Sequence, residues 1–392
     1  MPSALFWLAL GTFAIGTESF LVAGLLPAIG ADLGVDIDTA GHLIGWFAGT
    51  YAVAAPVMTA LTGRVDRRAV LVLSLAVFTL ANAAAAVAPD FHSLVGLRVG
   101  MAVFSCLYTP AAAALAGSMV GADRRGRALS IVMAGLTVAT AIGVPFGTAI
   151  GDLFGWRASF IAVAVLGGLA LLGIAFGLPK MAPPVVLSLR QRLLPLRQAA
   201  VRYALLVTLL WVGGAYVLYT YLAAYFVPRG IAGLAFAAVL AVFGCMAFAG
   251  NLLGGWSTDR IGAWTTTRNS VLLMLPIFAA FSLIPATPGL AAWLSVGLVA
   301  LWPLCGFSAA PARQALLIGL APQSAPVLLA LNASALYLGC ALGAAVGGAV
   351  IAQAGSQMLG WVAAGIEMLA LLALGLERQK SRRAAAMAAP AE

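Results

Sequence analysis

Apolar stretches long enough to cross a bilayer succeed one another along almost the whole chain. About 20 mostly apolar residues span the hydrocarbon core. The stretch from Leu5 to Pro27 meets this, as do those near 42–62, 69–88, 94–119, 128–150 and 158–178, and then 203–227, 233–256, 268–287, 290–311, 326–352 and 358–376. Of 392 residues 63% are hydrophobic and 8% charged, against about 25% charged in an average soluble domain. The pattern predicts an all-α membrane protein with twelve transmembrane helices, embedded in a lipid bilayer.

The short connections carry a second signal. With the amino terminus placed in the cytoplasm, the inner turns and tail collect Arg64, Arg67, Arg68, Arg124, Arg125, Arg127, Lys180, Arg190, Arg192, Arg197, Arg202, Arg260, Arg268, Arg313, Arg378, Lys380, Arg382 and Arg383. The other basic residues are Arg98 within a span, and Arg157 and Arg229 at outer span ends. Excess Lys and Arg on one side sets orientation, so both termini are expected in the cytoplasm. The net charge of +9 is dispersed over these turns rather than gathered on one face, which argues against a nucleic-acid partner. Asp32, Asp36 and Asp38 fall in the longest outer connection, where solvation is expected. Cys106, Cys245, Cys305 and Cys340 lie in four different spans without metal-ligand spacing and read as small buried hydrophobes. The apolar amino-terminal stretch has no basic leader and is interrupted by Glu18, so it reads as a retained first helix.

The longest inner connection contains Pro183, Pro184 and Pro195 and divides the chain near its midpoint. It gives an amino-terminal bundle over 1–178, a linker over 179–202, a second six-helix bundle over 203–378 and a tail over 379–392. The segment from Leu187 to Leu196 suits either a short interfacial helix or a solvated tether. The halves echo each other: Gly143 and Gly147 in the fifth span recur 200 residues later as Gly343 and Gly347 in the eleventh. Small residues four apart let helix backbones approach closely. The fifth span reads Gly135, Ala139, Gly143, Gly147, Gly151 with Pro145 inside it, and the eleventh carries Gly339, Gly343, Gly347 and Gly348. Such faces serve packing, and also suit an interface that rocks. Two pseudo-symmetric six-helix bundles are a transporter pattern, with a site near the bilayer midplane between them.

These residues resemble the major facilitator superfamily, specifically its bacterial drug and sugar efflux branch, over nearly the whole chain. The marks are Gly16-Thr17-Glu18-Ser19-Phe20 leading to Gly24-Leu25-Leu26-Pro27, Gly143-Val144-Pro145-Phe146-Gly147 followed by Gly155-Trp156-Arg157-Ala158-Ser159-Phe160, and Asn332-Ala333-Ser334 with the glycines after it. The family's loop signature after the second span is well kept in the second half, as Gly255-Trp256-Ser257-Thr258-Asp259-Arg260-Ile261-Gly262. In the first half Gly63-Arg64-Val65-Asp66-Arg67-Arg68 departs from it, with Gly63 where the family's Asp aligns. The Gly143–Pro145–Gly147 element resembles the antiporter signature, with Val144 inserted. The resemblance implies a single-chain secondary transporter in a bacterial cytoplasmic membrane that exports a small molecule by proton antiport, with no cofactor beyond the proton gradient.

Charged groups inside a bilayer cost at least about 2.5–3.5 kcal/mol, so Glu18, Arg98 and Glu367 are the candidates for coupling. Glu18 lies where the family lines its cavity and commonly carries an acid, and removal from water favours the neutral form of a carboxyl group. It is the first candidate to carry the proton. Arg98, a position where the family commonly has an Arg, would tune such a carboxylate or snorkel to the outer interface. Glu367, on the helix that usually supports the bundle, is a secondary candidate, as is Asn332, which interhelical bonding would equally explain. Tyr216 and Tyr219 on the seventh span, with Tyr108, Trp302 and Tyr337 elsewhere, are candidate cavity aromatics beside plain packing roles; Tyr221 and Tyr225 share the seventh-span run. Nucleotide hydrolysis lacks its phosphate loop. His42 and His92 are the only histidines, and no metal site is expected. Uptake in place of export, or a channel or receptor, are the alternative functions.

Overall fold

A computed structural model describes residues 2–121, 124–178, 194–321 and 324–388. Among them are twelve helices long and apolar enough to cross a membrane: α1 (Ala4–Leu33), α2 (Ile37–Arg64), α3 (Arg67–Ala85), α4 (Phe91–Ser118), α5 (Arg127–Phe154), α6 (Trp156–Gly177), α7 (Ala199–Tyr219), α8 (Gly233–Ile261), α9 (Ala263–Leu283), α10 (Leu290–Leu320), α11 (Val327–Ala354) and α12 (Ser356–Ser381). Their order and type are those expected from the hydropathy. The connections alternate between two ends, here called the basic end, where α2 turns into α3, and the opposite end, where α1 turns into α2.

Packing repeats with the same register in both halves. In the first half α1 lies against α5 and α6, α3 against α6, and α2 against α4; six helices later α7 lies against α11 and α12, α9 against α12, and α8 against α10. The glycine faces explain how. A side chain on Gly143 would run into Thr17 of α1 and one on Gly147 into Leu21, while one on Gly343 would meet the backbone around Gly213 to Val217 of α7, and one on Gly347 the Val217 carbonyl and Tyr221. The partners Thr17 and Leu21 recur as Val217 and Tyr221, 200 residues on, like the glycines themselves. These four glycines therefore seat helices inside one half, while Gly348 also approaches the Asp38 carbonyl of α2.

The halves meet through other residues. α2 runs against α11, and α5 against α8. Gly41, Gly45 and Gly49 form a small-residue ladder on α2, the last two within 3.8 Å of Ala341 as ideal Cβ positions, and a side chain on Gly244 of α8 would strike the backbone at Thr140 and Ala141. At that point α5 opens into a π turn over Ala139–Gly143, in which the Val144 N–H reaches back five residues to the Ala139 carbonyl. Pro145 has no N–H to give Ala141 four residues earlier, and a wider turn is one way a helix accommodates that gap.

Several boundaries differ from the sequence reading. The seventh stretch, expected over 203–227, begins at Ala199, stops at Tyr219 and resumes as a short helix, Leu222–Phe226. Linker residues 179–193, and with them most of the proposed interfacial segment, lie outside the described residues; Leu194–Arg197 form one 3-10 turn. The last helix does not stop at 378 but continues to Ala388. Asp32 is not simply solvated: it pairs with Arg157 and accepts from the Trp156 indole at 3.1 Å. Cys245 is exposed on the helix surface rather than buried.

Candidate functional site

A cavity lies between the halves, lined from the first by Phe20 and Thr140 and from the second chiefly by Trp211, Tyr216, Tyr219, Phe243, Trp302 and Phe307. The rings brace one another: Tyr219 packs at 5.1 Å on Phe243, which meets Trp302 at 5.1 Å and Phe307 at 6.0 Å. Phe20 reaches Tyr219 edge-on at 6.4 Å, and its carbonyl accepts the Tyr219 hydroxyl at 3.4 Å, so the wall is continuous across the two halves. Among the described residues no charged one lines it. The indole N–H of Trp211 is buried without a hydrogen-bond partner, and a donor left open in an apolar wall is costly until something accepts from it.

Of the expected cavity aromatics, Tyr216, Tyr219 and Trp302 line this space, and Tyr108 and Tyr337 do not. The Tyr108 hydroxyl donates to the Leu8 carbonyl at 3.0 Å, filling the notch left by Gly11. Tyr337 stacks on Tyr51 of α2 at 3.7 Å, a contact across the halves. Asn332 is used between helices, accepting from Thr208 at 2.8 Å.

Glu18 stands behind the cavity, not in its wall. It is buried and ion-paired to Arg98 of α4, itself fully buried. Arg98 also donates to the Leu43 carbonyl at 3.4 Å and lies 4.3 Å over the Phe47 ring, so the pair ties α1, α2 and α4 together. The snorkelling alternative for Arg98 is thereby excluded. One carboxylate oxygen of Glu18 and one terminal nitrogen of Arg98 remain unpartnered. Glu367 is different. It is fully buried in α12 against Gly214 of α7, and neither of its oxygens has a partner.

Three anchors lie outside the sequence expectations. Arg313, counted among the inner-turn cations, is buried and pairs with Glu377 at 2.7 Å, besides donating to the Ala204 carbonyl. Arg229 is buried too, donating to the carbonyls of Tyr225 and Ile284 and to Gln357, with burial pushing its pKa down. Tyr221 plugs the opposite end: its hydroxyl donates to the Ala344 carbonyl at 3.0 Å and approaches that of Asp38 at 3.4 Å, in the space left by Gly41 and Gly348. The ladder Gly41, Gly45, Gly49 is a legible signal for this seam. Nearby, Asp152 of α5 accepts the Leu234 N–H at the start of α8.

The loop motifs sit at the basic end. Gly63 is buried in a 3-10 turn, Asp66 caps α3 by accepting the Arg68 N–H at 3.3 Å, and Arg68 donates to the Ala175 carbonyl of α6. Arg67 is half-buried. In the second half Gly255 and Asp259 precede Arg260, which lies 5.4 Å from the Trp256 ring, and Gly262 at φ 85° ends the helix. Among the described residues no cluster of metal-ligating side chains occurs.

Residues 8–327 match the Major Facilitator Superfamily. The chain belongs to that superfamily. This facilitator is 34% identical over 375 residues to the inner membrane transport protein YdhP of Escherichia coli K12, covering 95% of each chain. It is 35% identical over 280 residues to a chloramphenicol resistance protein of Streptomyces lividans, covering 70% of this chain and 71% of that one. Its fold matches a mutant form of the nucleoside transporter NupG with a TM-score of 0.73 at 13% identity, over 95% and 99% of the two chains. The relatives are transport proteins rather than enzymes, and this facilitator is a multi-pass membrane transporter.

Proposed function

We propose that the chain exports a neutral, lipophilic aromatic small molecule across a bacterial cytoplasmic membrane in exchange for protons, by alternating access. The observation that carries this reading is the ring-lined, uncharged cavity shared by both halves. Sugars present many hydroxyls and would leave them unpaired against such walls; a flat apolar molecule fits them. The relative that confers chloramphenicol resistance points the same way. In this proposal the basic end and both termini face the cytoplasm, as the Lys and Arg excess favours, and the molecule works as a single chain.

Coupling is assigned to Glu18 and Arg98. A proton on Glu18 would dissolve the ion pair, loosening α1 from Arg98 of α4, which also grips α2, the helix that carries the seam with α11. The energy source is ample, since a membrane potential supplies about 2.3 kcal/mol per charge per 100 mV. The test is transport in proteoliposomes under an imposed pH gradient, with chloramphenicol, a cationic dye and a disaccharide as probes. Chloramphenicol is expected to move against its gradient, the sugar not at all. Glu18→Gln should abolish the drive while leaving exchange without a gradient. Gradient-driven transport that survives Glu18→Gln refutes the coupling residue, and a preference for the disaccharide refutes the cargo class.

A further inference from the structure

The described residues hold three buried carboxylic acids within the spans: Glu18, Glu367 and Glu377. Two of them face an arginine, Arg98 and Arg313. Glu367 faces none, and neither of its oxygens is hydrogen-bonded. A lone carboxylate in a dry helix bundle carries a heavy desolvation cost, and the group escapes it by holding a proton. Its surroundings are made to receive it. α7 carries Gly213 and Gly214 in succession: the first faces the Gly339 backbone of α11, and the second leaves room for the Glu367 carboxyl, whose oxygen would lie 2.9 Å from a Cβ at that position.

We infer that Glu367 is a second proton-carrying site, in the half that supplies most of the cavity wall. The inference rests on the antiport reading above and adds a proton to it. Gly214 lies between Val212 and Ala215, both of which line the cavity, one turn beyond Trp211. Cargo pressing on that wall moves the same stretch of backbone that covers the Glu367 carboxyl. One α-helical segment thus touches cargo on one face and an acid on another, which is the geometry for exchanging one against the other.

The ionisable groups on the packed elements leave the acid to itself. On α7, Arg202 is held by the carbonyls of Leu196 and Arg197, Tyr203 lies about three helical turns from Gly214 toward the basic end, and Tyr216 and Tyr219 face the cavity. On α9, Arg268 is held by Asn269. On α11, Tyr337 stacks on Tyr51, and Cys340 lies near Tyr216. On α12 itself, Glu377 pairs with Arg313, and Arg378 lies over Trp264. None of these is bonded to Glu367.

Infrared spectroscopy of the reconstituted full chain tests this without knowledge of the cargo. A C=O stretch of a protonated carboxyl is expected in the wild type at neutral pH, lost in Glu367→Gln and kept in Glu18→Gln. If that site opens to water in turn, the band shifts to its deuterated position within minutes of transfer to D2O. Should Glu367→Gln fail to fold, Gly214→Ala, which presses a methyl on the carboxyl, is expected to displace the same band. A band unchanged by either variant, or one that stays protonated for hours in D2O, overturns the inference by showing another acid or a permanently sealed one. Neither result touches the antiport reading, which the gradient-driven assay decides alone.

Discussion

Replacing Tyr221 is expected to loosen the closure between halves by an amount that can be worked out. Its ring is fully buried between α2 and α11. The hydrogen bond to Ala344 lies inside the second half and is kept in any conformation, so it drops out of the equilibrium. What crosses the seam is the long bond to the Asp38 carbonyl, 3.4 Å, and the face of the ring toward Gly41. A tyrosine buries about 150–250 Å²; if roughly a third of it faces α2, about 60 Å² at about 25 cal/mol per Å² gives about 1.5 kcal/mol. Tyr221→Ala should therefore raise the population opened at that end about tenfold, and Tyr221→Phe, losing only the long bond at about 0.5 kcal/mol, about twofold. The assay is labelling of Ala215→Cys, in a background with the four native cysteines replaced, by an impermeant maleimide applied from the end where α1 turns into α2. Equal rates in the parent and in Tyr221→Ala, or equal effects of the two variants, would refute the idea that this side chain closes the halves.

Three further outcomes follow from the packing. Arg98→Met strands Glu18 beside apolar groups and is expected to destabilise the protein by about 3–5 kcal/mol, whereas the double variant with Glu18→Met recovers most of it; thermal unfolding in detergent measures both, and a neutral single variant refutes the pairing. Gly343→Val should lower the melting temperature sharply, since its side chain meets the α7 backbone, while Gly255→Val, with nothing within 4 Å, changes stability by less than about 0.5 kcal/mol. Asp90, at the opposite end, accepts from the backbone N–H and hydroxyl of Ser93, and the backbone bond first of all holds its pKa below the usual value. A lowered carboxylate pKa stabilises above the unfolded-state value and loses that contribution as pH falls through the folded one. Asp90→Ala should thus lower the melting temperature at neutral pH and cease to differ from wild type in strong acid.

Helices are legible because lipid demands about 20 apolar residues per crossing, a signal that needs no tertiary context. The glycine repeat is legible for the same kind of reason, but its partner is not: Gly143 and Gly343 look alike whether they face their own half or the other, and only the fold shows α1 and α7 opposite them. The seam glycines at 41, 45 and 49 follow the same rule, yet no echo in the second half draws attention to them. Charges are hardest. Arg313 falls just past the end expected for its span at 311, yet the helix runs on to Leu320 and buries it against Glu377. Glu18 and Arg98 are separately visible, 80 residues apart, but their pairing depends on how α1 and α4 cross. Tyr108 and Tyr337 differ from Tyr216 and Tyr219 only in which way each helix is rotated, a property that hydropathy along a span does not encode.

The π turn in α5 stores one surplus residue at the point where the halves touch. The i→i+5 bond puts Val144 where the fourth residue of an ordinary turn would stand, so excising one residue between Ala139 and Gly143 would restore ordinary winding and leave the helix beyond it in phase. Gly147 would stay against Leu21 and Asp152 at the start of α8, whereas the same excision in the regular winding beside it would swing both away by about 100°. The π turn is thus the place in α5 where the chain can lose one residue and keep the faces of the helix beyond it.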